Sequence, residues 1–224
     1  MQKSIGPQKM KEKIKIFNDR AIFANEMLDQ YYQTFPNTII SDVGSGFGHM
    51  QNKIESLGAT WQPFDYVRKI DKAIIWDLNK SCPIEAKNAG AVVFLEVLEH
   101  LGNPQLGLQN ITNHMEVGGI LILTTPNPSS SQNTVNLFLK GRLFSFQEKH
   151  LVEHHVFTPW EHIVRFFLEE CGFEILEYAC IDISNSKNRN SNLKDMFKRK
   201  IETILEKRNP KAIGMSYGMV ARKK

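Results

Sequence analysis

The sequence predicts an α/β fold in which a doubly wound, mostly parallel sheet is covered by helices on both faces. Short β-branched runs alternate with helical patterns along most of the chain, as βαβ units do. The run 91–95 is almost wholly apolar, which is typical of a central strand buried on both sides. A length of 224 residues fits one domain, 1–224, and 42% hydrophobic residues can fill its core. Such sheets bind ligands at the carboxyl ends of their strands.

Turn-forming residues mark most element boundaries in the first half of the chain. Pro36 and Asn37 end a helix predicted over 8–34, which makes 1–37 an N-terminal helical region. Gly58 stands where a helix C-terminal glycine belongs, after a helix predicted over 47–57. The β-branched and apolar runs predict strands at 38–43, 60–64, 73–76 and 91–95, followed by a helix at 105–115.

The second half contains a long interruption. Gly118-Gly119 introduces a fifth strand, 120–124, which Pro126 stops. Residues 127–157 then form a connection rich in Ser, Asn, His and aromatic residues, and long connections in compact α/β domains are commonly functional. We predict an insert that acts as a lid over the ligand site, although a satellite hydrophobic cluster under a loop is an alternative. Its candidate lid residues are Phe138, Leu139, Phe144 and Phe146.

The last elements follow this insert. Thr158-Pro159-Trp160-Glu161 predicts a helix start with Thr158 as the N-cap, and Gly172 closes that helix after Cys171. A strand is predicted at 173–181, a basic amphipathic helix at 192–208 and a final strand at 213–221.

Composition excludes several classes of protein. No apolar run approaches the roughly 18–20 residues that span a bilayer, and the N-terminus lacks the apolar core of a secretory signal. The 3 cysteines are odd in number and lack a CxxC pair, which argues against a disulfide scaffold and a zinc ribbon. We therefore expect a cytoplasmic protein without a transmembrane segment.

Charge is distributed unevenly along the chain. Residues 187–224 hold 12 Lys/Arg and 3 Asp/Glu, whereas 21–186 hold 10 basic and 19 acidic residues. An acidic middle disfavours a cofactor with several phosphates and admits a cationic one. The basic helix is expected to present a solvated face, and contact with nucleic acid or anionic lipid is the alternative. Its cations are Lys194, Lys198, Arg199 and Lys200.

Three successive strand ends carry glycines or carboxylates. The first strand leads into Asp42-Val43-Gly44-Ser45-Gly46-Phe47-Gly48, where glycines let the backbone approach a ligand. A dinucleotide fingerprint would need glycine at position 49, which is His49. Asp65 stands where a carboxylate can accept both hydroxyls of a ribose, and Asp77 could accept from an adenine amine. Taken singly, Asp65 could also be an exposed acid at a strand end, and Asp77 could cap a helix or form an Asx turn.

The ordered motifs, together with Phe94–Leu101 and Gly118–Ile122, resemble those of class I S-adenosylmethionine-dependent methyltransferases. The closest resemblance is to the branch that includes the ubiquinone-biosynthesis O-methyltransferases. It implies a Rossmann-like, seven-stranded sheet whose last strand is antiparallel. It also implies S-adenosylmethionine, a sulfonium cation without phosphates, as the methyl donor. The implied donor-binding residues are Asp42, Gly44, Ser45, Gly46, Gly48, Asp65, Tyr66, Asp77, Leu78 and Glu96.

A second set of residues could act on the methyl acceptor. Glu96, Glu99 and His100 are spaced i, i+3, i+4, and the cluster His150, His154, His155 could close over the same pocket. We predict Glu99, His100 and His155 as catalytic residues, one histidine acting as general base, with a purely structural His100 still open. The pattern also resembles metal-assisted O-methyltransferases, including those acting on small-RNA 3′ ends. The predicted metal ligands, for an ion such as Mg²⁺, are Glu96, Glu99, His100 and His155.

The predicted function is therefore methyl transfer to an oxygen of a small molecule, such as a quinone precursor, lipid head group or sugar. Three alternatives remain: a terminal RNA hydroxyl as acceptor, a nicotinamide-dependent oxidoreductase, and a non-catalytic binding module. The sequence does not predict the oligomeric state.

Overall fold

The computed structural model describes residues 14–183 and 193–224, and these form an eight-stranded sheet flanked by helices. The elements are β1 (Ile14–Ile16), α1 (Arg20–Tyr31), β2 (Ile39–Val43), α2 (Gln51–Ser56), β3 (Thr60–Asp65), β4 (Ile74–Ile75), β5 (Ala89–Leu95), α3 (Pro104–His114), β6 (Met115–Pro126), α4 (Ser131–Lys140), α5 (Glu161–Glu170), β7 (Phe173–Ile181), α6 (Leu193–Arg208) and β8 (Ser216–Lys223). No helix in these ranges combines the length and apolar character needed to cross a bilayer.

The strand order in the sheet is β1-β7-β8-β6-β5-β2-β3-β4. Strand β8 runs antiparallel to β6 and β7, and the other pairings among the described strands are parallel. The predicted doubly wound α/β sheet with an antiparallel last strand is confirmed. From β2 the chain adds β3 and β4 on one side and then β5 and β6 on the other. The connections that follow the neighbouring strands β2 and β5 therefore lead to helices on opposite faces of the sheet, α2 and α3, and leave a crevice for a ligand between them.

Alternating residues of the central strands fill two separate cores. On β5, Val92 and Phe94 pack on one face, whereas Ala91 and Val93 pack on the other, as the period of two requires. Helices α3 and α5 cover the first face, and α1 and α2 cover the second. Burial on both sides explains the continuous apolar run of this strand.

The N-terminal region departs from its prediction. The helix expected over 8–34 is replaced at residues 14–16 by β1, which pairs in parallel with β7 and brings the strand number from seven to eight. The part of that prediction over 8–13 lies outside the described residues. Helix α1 begins only at Arg20, because the Asp19 side chain caps it by accepting from the Ile22 amide. A strand of three residues is too short to show a period of two in the sequence.

The connection 127–157 is more structured than predicted. It contains α4, where the Ser130 hydroxyl accepts from the Asn133 amide and Gly141 ends the helix at φ +67°. A 3₁₀ turn follows at Glu148–Glu153. The predicted Thr158 cap is wrong: α5 begins at Glu161, with Trp160 as its N-cap and no side-chain cap. The predicted start of α6 at Asn192 lies outside the described residues.

Buried His114, the last residue of α3, gives a prediction about stability. Its Nε2 lies 2.8 Å from the Ser41 hydroxyl, and its ring packs edge-on against Phe64 and Trp76. Burial lowers the pKa of His114 to about 4. Unfolding restores the usual pKa near 6.5, so stability is fully present above about pH 6.5 and is lost as the pH falls toward 4. We expect wild type to lose about 2 kcal/mol relative to His114→Gln between about pH 7.5 and pH 5.

Urea unfolding of both proteins at the two pH values measures this difference, and the comparison cancels the titration of other groups. The exposed His162 provides the control, because His162→Gln should leave the difference near zero. A His114→Gln difference that does not change with pH would show that His114 has the same pKa in the folded and the unfolded protein, and would contradict the lowered pKa.

Candidate active site

The loop after β2 approaches the end of β3 through its backbone. The amides of Gly44 and Ser45 both donate to the carbonyl of Phe64 at 2.9 Å, and the Gly46 amide donates to Asp65 Oδ2 at 2.9 Å. Gly44 has φ +82° and Gly46 has φ +55°, a region that favours glycine. A Cβ on Gly44 would lie 2.3 Å from Val97 Cγ2, whereas Gly46 faces open space. The loop thus exposes backbone beside a fixed carboxylate.

Two more polar groups of this loop region are buried. The Ser45 hydroxyl is buried without a hydrogen-bond partner among the described residues. The Asp42 carboxyl accepts from Trp61 Nε1 at 3.1 Å, and burial raises its pKa to about 6 although that hydrogen bond lowers it. An unpaired hydroxyl and a buried acid next to an open backbone are suited to a polar, cationic ligand.

Asp77 lies beside Asp65 because β4 continues the sheet. The Trp76 amide donates to the carbonyl of Asp65 at 3.0 Å, which brings the next residue, Asp77, to the same edge. Its carboxylate accepts from the backbone and side-chain nitrogens of Asn79, both at 3.0 Å, and these bonds lower its pKa. Tyr66 is exposed, whereas Leu78 is buried in the core. The structure therefore gathers 44–48, Asp65 and Asp77 at one edge, with Leu78 behind it.

Glu96 follows β5 in a strained conformation. Its φ of +54° is unusual for a residue with a side chain, and its amide donates to the carbonyl of Thr124 at 2.9 Å. One carboxylate oxygen lies 3.8 Å from the Arg20 guanidinium, and the other is buried without a hydrogen-bond partner among the described residues. Burial raises the pKa of Glu96 to about 7, against the opposing effect of Arg20. Burial therefore favours the protonated form of this carboxyl.

Glu99 is the most deeply buried acid of the site. Its carboxylate accepts from the Thr125 hydroxyl at 3.0 Å, and Glu99 as a whole is only 1% exposed. Burial, and then the nearby Glu96, raises its pKa well above the usual range. Its carbonyl accepts from the amides of Val156 and Phe157 at 3.0 and 3.1 Å, which fixes the end of the insert against this turn.

That attachment brings His155 next to His100. The two rings are perpendicular, with centroids 4.7 Å apart. Nδ1 of His100 contacts the carbonyl of Glu153, and Nδ1 of His155 contacts that of Ser145 at 2.9 Å. Because a carbonyl can only accept, each Nδ1 must carry the hydrogen, which leaves each neutral Nε2 as an acceptor. Burial, followed by the proximity of His100, lowers the pKa of His155.

Three of the four predicted metal ligands come together. One ligand atom each from Glu99, His100 and His155 lies within 4.8 Å of the others, and both histidines have the backbone support usual for metal ligands. The fourth, Glu96, is not in this group and faces Arg20 instead. The spacing argument is wrong for Glu96 because its left-handed backbone precedes the 3₁₀ turn Leu98–His100, so no helix aligns it with Glu99.

The remaining predicted residues separate into different surroundings. Phe146 packs near His155, with ring centroids 5.8 Å apart, and His150 lies 5.7 Å from the same ring. His154 is exposed, as is Phe138 at 89%. Leu139 and Phe144 line a different cavity, between α4 and α6. The four predicted lid residues thus do not form one cluster.

Sequence reasoning missed the groups that support the two glutamates. Thr125 was detectable, because it lies at the end of the fifth predicted strand, where functional residues are expected. Arg20 carries no such signal, because only the packing of α1 brings it to Glu96.

Comparison with known proteins finds solved structures of the same fold. A methyltransferase from Archaeoglobus fulgidus, described as dependent on S-adenosylmethionine, is 20% identical, with a TM-score of 0.57 over 91% of this chain and 95% of that one. A similar enzyme from Mesorhizobium loti is 14% identical, with a TM-score of 0.53 over 88% and 96%. The magnesium protoporphyrin IX methyltransferase of Synechocystis, solved with S-adenosylhomocysteine, is 15% identical, with a TM-score of 0.55 over 91% and 81%. No curated protein matches the sequence.

The fold is therefore the Rossmann-like fold of methyltransferases. Residues 36–178 match the family described as a methyltransferase domain, and the chain belongs to that family.

The histidine pair gives a testable prediction about tautomers. Nitrogen NMR of labelled protein should show that the neutral form of both His100 and His155 is the Nδ1–H tautomer, because both Nδ1 atoms face backbone carbonyls. Exposed His162 serves as the control, since it has no such carbonyl partner among the described contacts. A neutral Nε2–H tautomer at either site would contradict the assigned geometry.

Proposed function

We propose that the protein transfers the methyl group of S-adenosylmethionine to an oxygen of a small-molecule acceptor. The observation that carries this proposal is the Gly46–Asp65 hydrogen bond, which holds the glycine loop and a carboxylate together beside Asp77. We propose the whole chain, 1–224, as a single methyltransferase domain in the cytoplasm, consistent with three free cysteines.

The proposed donor site follows the order of the strand ends. Gly44, Ser45, Gly46 and Gly48 would face the methionine part, and the unpaired Ser45 hydroxyl is a fitting polar contact. Asp65, followed by Tyr66, would hold the ribose hydroxyls. Asp77 and Leu78 would lie against the adenine. Asp42 behind the loop and Glu96 at the edge add negative charge near a sulfonium, which favours a cationic donor over a phosphorylated one.

The proposed acceptor site is the turn after β5 and the insert above it. The donor supplies a methyl carbon that is already electrophilic and a neutral leaving group. The acceptor hydroxyl must lie in line with the methyl–sulfur bond and lose its proton. The unprotonated Nε2 of His155 or His100 can take that proton as the new carbon–oxygen bond forms. Buried Glu99 would hold the turn, and the insert 127–157 would act as a lid that excludes water.

Replacement of Asp65 tests the donor site. Asp65→Ala should weaken S-adenosylhomocysteine binding by about 1–3 kcal/mol, or roughly 5- to 150-fold in Kd, because charged hydrogen bonds are lost. Calorimetry measures the affinity, and exposed Asp71 gives a matched control in Asp71→Ala. Equal affinity for wild type and Asp65→Ala, with both proteins folded by circular dichroism, would refute the ribose assignment.

Replacement of His155 tests the acceptor site. His155→Gln should lower kcat by about 100- to 10,000-fold without changing donor affinity, as expected for loss of a general base. The assay follows labelled methyl from the donor to phenol, lipid head-group and sugar acceptors. His162→Gln is the control, and full activity should survive EDTA. Donor binding with no turnover on any acceptor would instead indicate a non-catalytic binding module.

A second candidate, metal-assisted transfer, is favoured by the group Glu99, His100 and His155. Two imidazoles and one carboxylate suit ions such as Zn²⁺ or Mn²⁺ better than Mg²⁺, which prefers oxygen ligands. When bound, such an ion would lower the pKa of an acceptor hydroxyl, including a terminal RNA hydroxyl. Loss of activity in EDTA, restored by one of these ions and not by Mg²⁺, would select this candidate over the metal-free base.

A further inference from the structure

Helix α6 has its charged side toward the protein. Asp195, Lys198 and Glu202, spaced i, i+3 and i+7, line a cavity of about 230 Å³ that α6 shares with α4. Glu202 is buried, and the Glu206 carboxylate accepts from the Ser131 hydroxyl at 2.6 Å. A surface helix ordinarily packs its apolar stripe against the protein. In α6, acidic side chains lie on the face that packs against the protein.

The apolar side of α6 faces outward. Leu193, Phe197 and Ile204 recur at spacings of four and seven, so they share one face. They are 85%, 66% and 58% exposed. Lys200 and Lys207 follow Phe197 and Ile204 by three residues each, so they lie on the same face and are also exposed. The outward face thus combines large apolar side chains with positive charge.

We propose that this outward face of α6 docks on an anionic lipid surface. Its apolar side chains would enter the boundary between head groups and acyl chains, and Lys200 and Lys207 would contact lipid phosphates. The inference goes beyond methyl transfer and does not depend on which acceptor the enzyme uses.

Charge complementarity favours an anionic lipid surface over a second copy of α6 or a nucleic acid as the partner of this face. Asp195, Glu202 and Glu206 all lie on the opposite side, so a second copy of α6 would meet this face with the same cations. Nucleic acid would satisfy the lysines, but it offers no apolar surface for Leu193 and Ile204. An anionic bilayer satisfies both kinds of side chain at once.

The neighbouring helix has similar exposed residues. Helix α4 packs against α6 and carries the exposed side chains of Leu137 and Phe138 in its last turn. Lys140 and Arg142 lie two and four residues after Phe138 and are exposed as well. The helix that contacts α6 therefore also exposes an aromatic side chain near cations. This arrangement supports contact with an anionic lipid surface.

Vesicle co-sedimentation of the full chain tests the proposal. We expect wild type to bind vesicles of phosphatidylcholine mixed with phosphatidylglycerol and not vesicles of phosphatidylcholine alone. Phe197→Ser combined with Ile204→Ser should abolish binding. Lys200→Gln combined with Lys207→Gln should weaken it by about fivefold per lysine, and added salt should do the same.

Two control pairs match these changes elsewhere on the surface. Ile84→Ser with Val117→Ser removes exposed apolar side chains, and Lys72→Gln with Lys87→Gln removes exposed cations; neither pair should alter binding. Circular dichroism and thermal melting confirm that each variant folds. Equal sedimentation of wild type and the Phe197/Ile204 variant, or none with either vesicle, would overturn the proposal.

Two further outcomes would assign the face to another partner and also overturn the lipid proposal. One is a concentration-dependent dimer in analytical ultracentrifugation that Phe197→Ser with Ile204→Ser dissociates. The other is RNA binding that the lysine changes abolish and the Phe197/Ile204 changes leave intact.

Discussion

The hydrogen bond from the Gly46 amide to the Asp65 carboxylate joins two strand ends that the proposed donor site requires together. It forms because parallel β2 and β3 end at the same edge and because Gly46 adopts a φ of +55°. The carbonyl of Asp65 also accepts from the Trp76 amide, which places Asp77 beside it. Oδ1 of Asp65 also accepts from the Val67 amide at 3.4 Å, so backbone donors hold the carboxylate in one orientation and little conformational freedom is lost when a ligand binds.

Several acids around this edge are held at raised pKa values. Burial raises the pKa of Asp42 to about 6 and that of Glu96 to about 7, and Glu99 is raised by burial and by Glu96. Each buried charge costs free energy when no cation is near. A sulfonium bound in the crevice would favour the ionised forms, so donor binding and deprotonation of these acids should be thermodynamically linked. The same field would oppose a ligand that carries phosphates, which agrees with the acidic charge of residues 21–186.

The positions of the residues at the strand ends could be predicted from the sequence. The contacts that these residues make with distant parts of the chain could not. Gly44–Gly48, Asp65 and Asp77 were predictable because strand pattern and the reversal of strand order place such residues at one edge. The Arg20–Glu96 pair depends on how α1 packs, and His100 contacts Glu153, a residue 53 positions further along. Contacts of this kind have no signature in a single sequence.

The two halves of the proposed site have different structural origins. The donor side is built by β2, β3 and β4, whose positions the buried sheet fixes. On the acceptor side, the carbonyls that orient His100 and His155 belong to Glu153 and Ser145, both in the connection 127–157. The backbone of that connection, and not the sheet, therefore decides which histidine nitrogen is free. Changes in this connection would alter the proposed acceptor site and leave the proposed donor site intact, in the way that one fold serves different substrates through its loops.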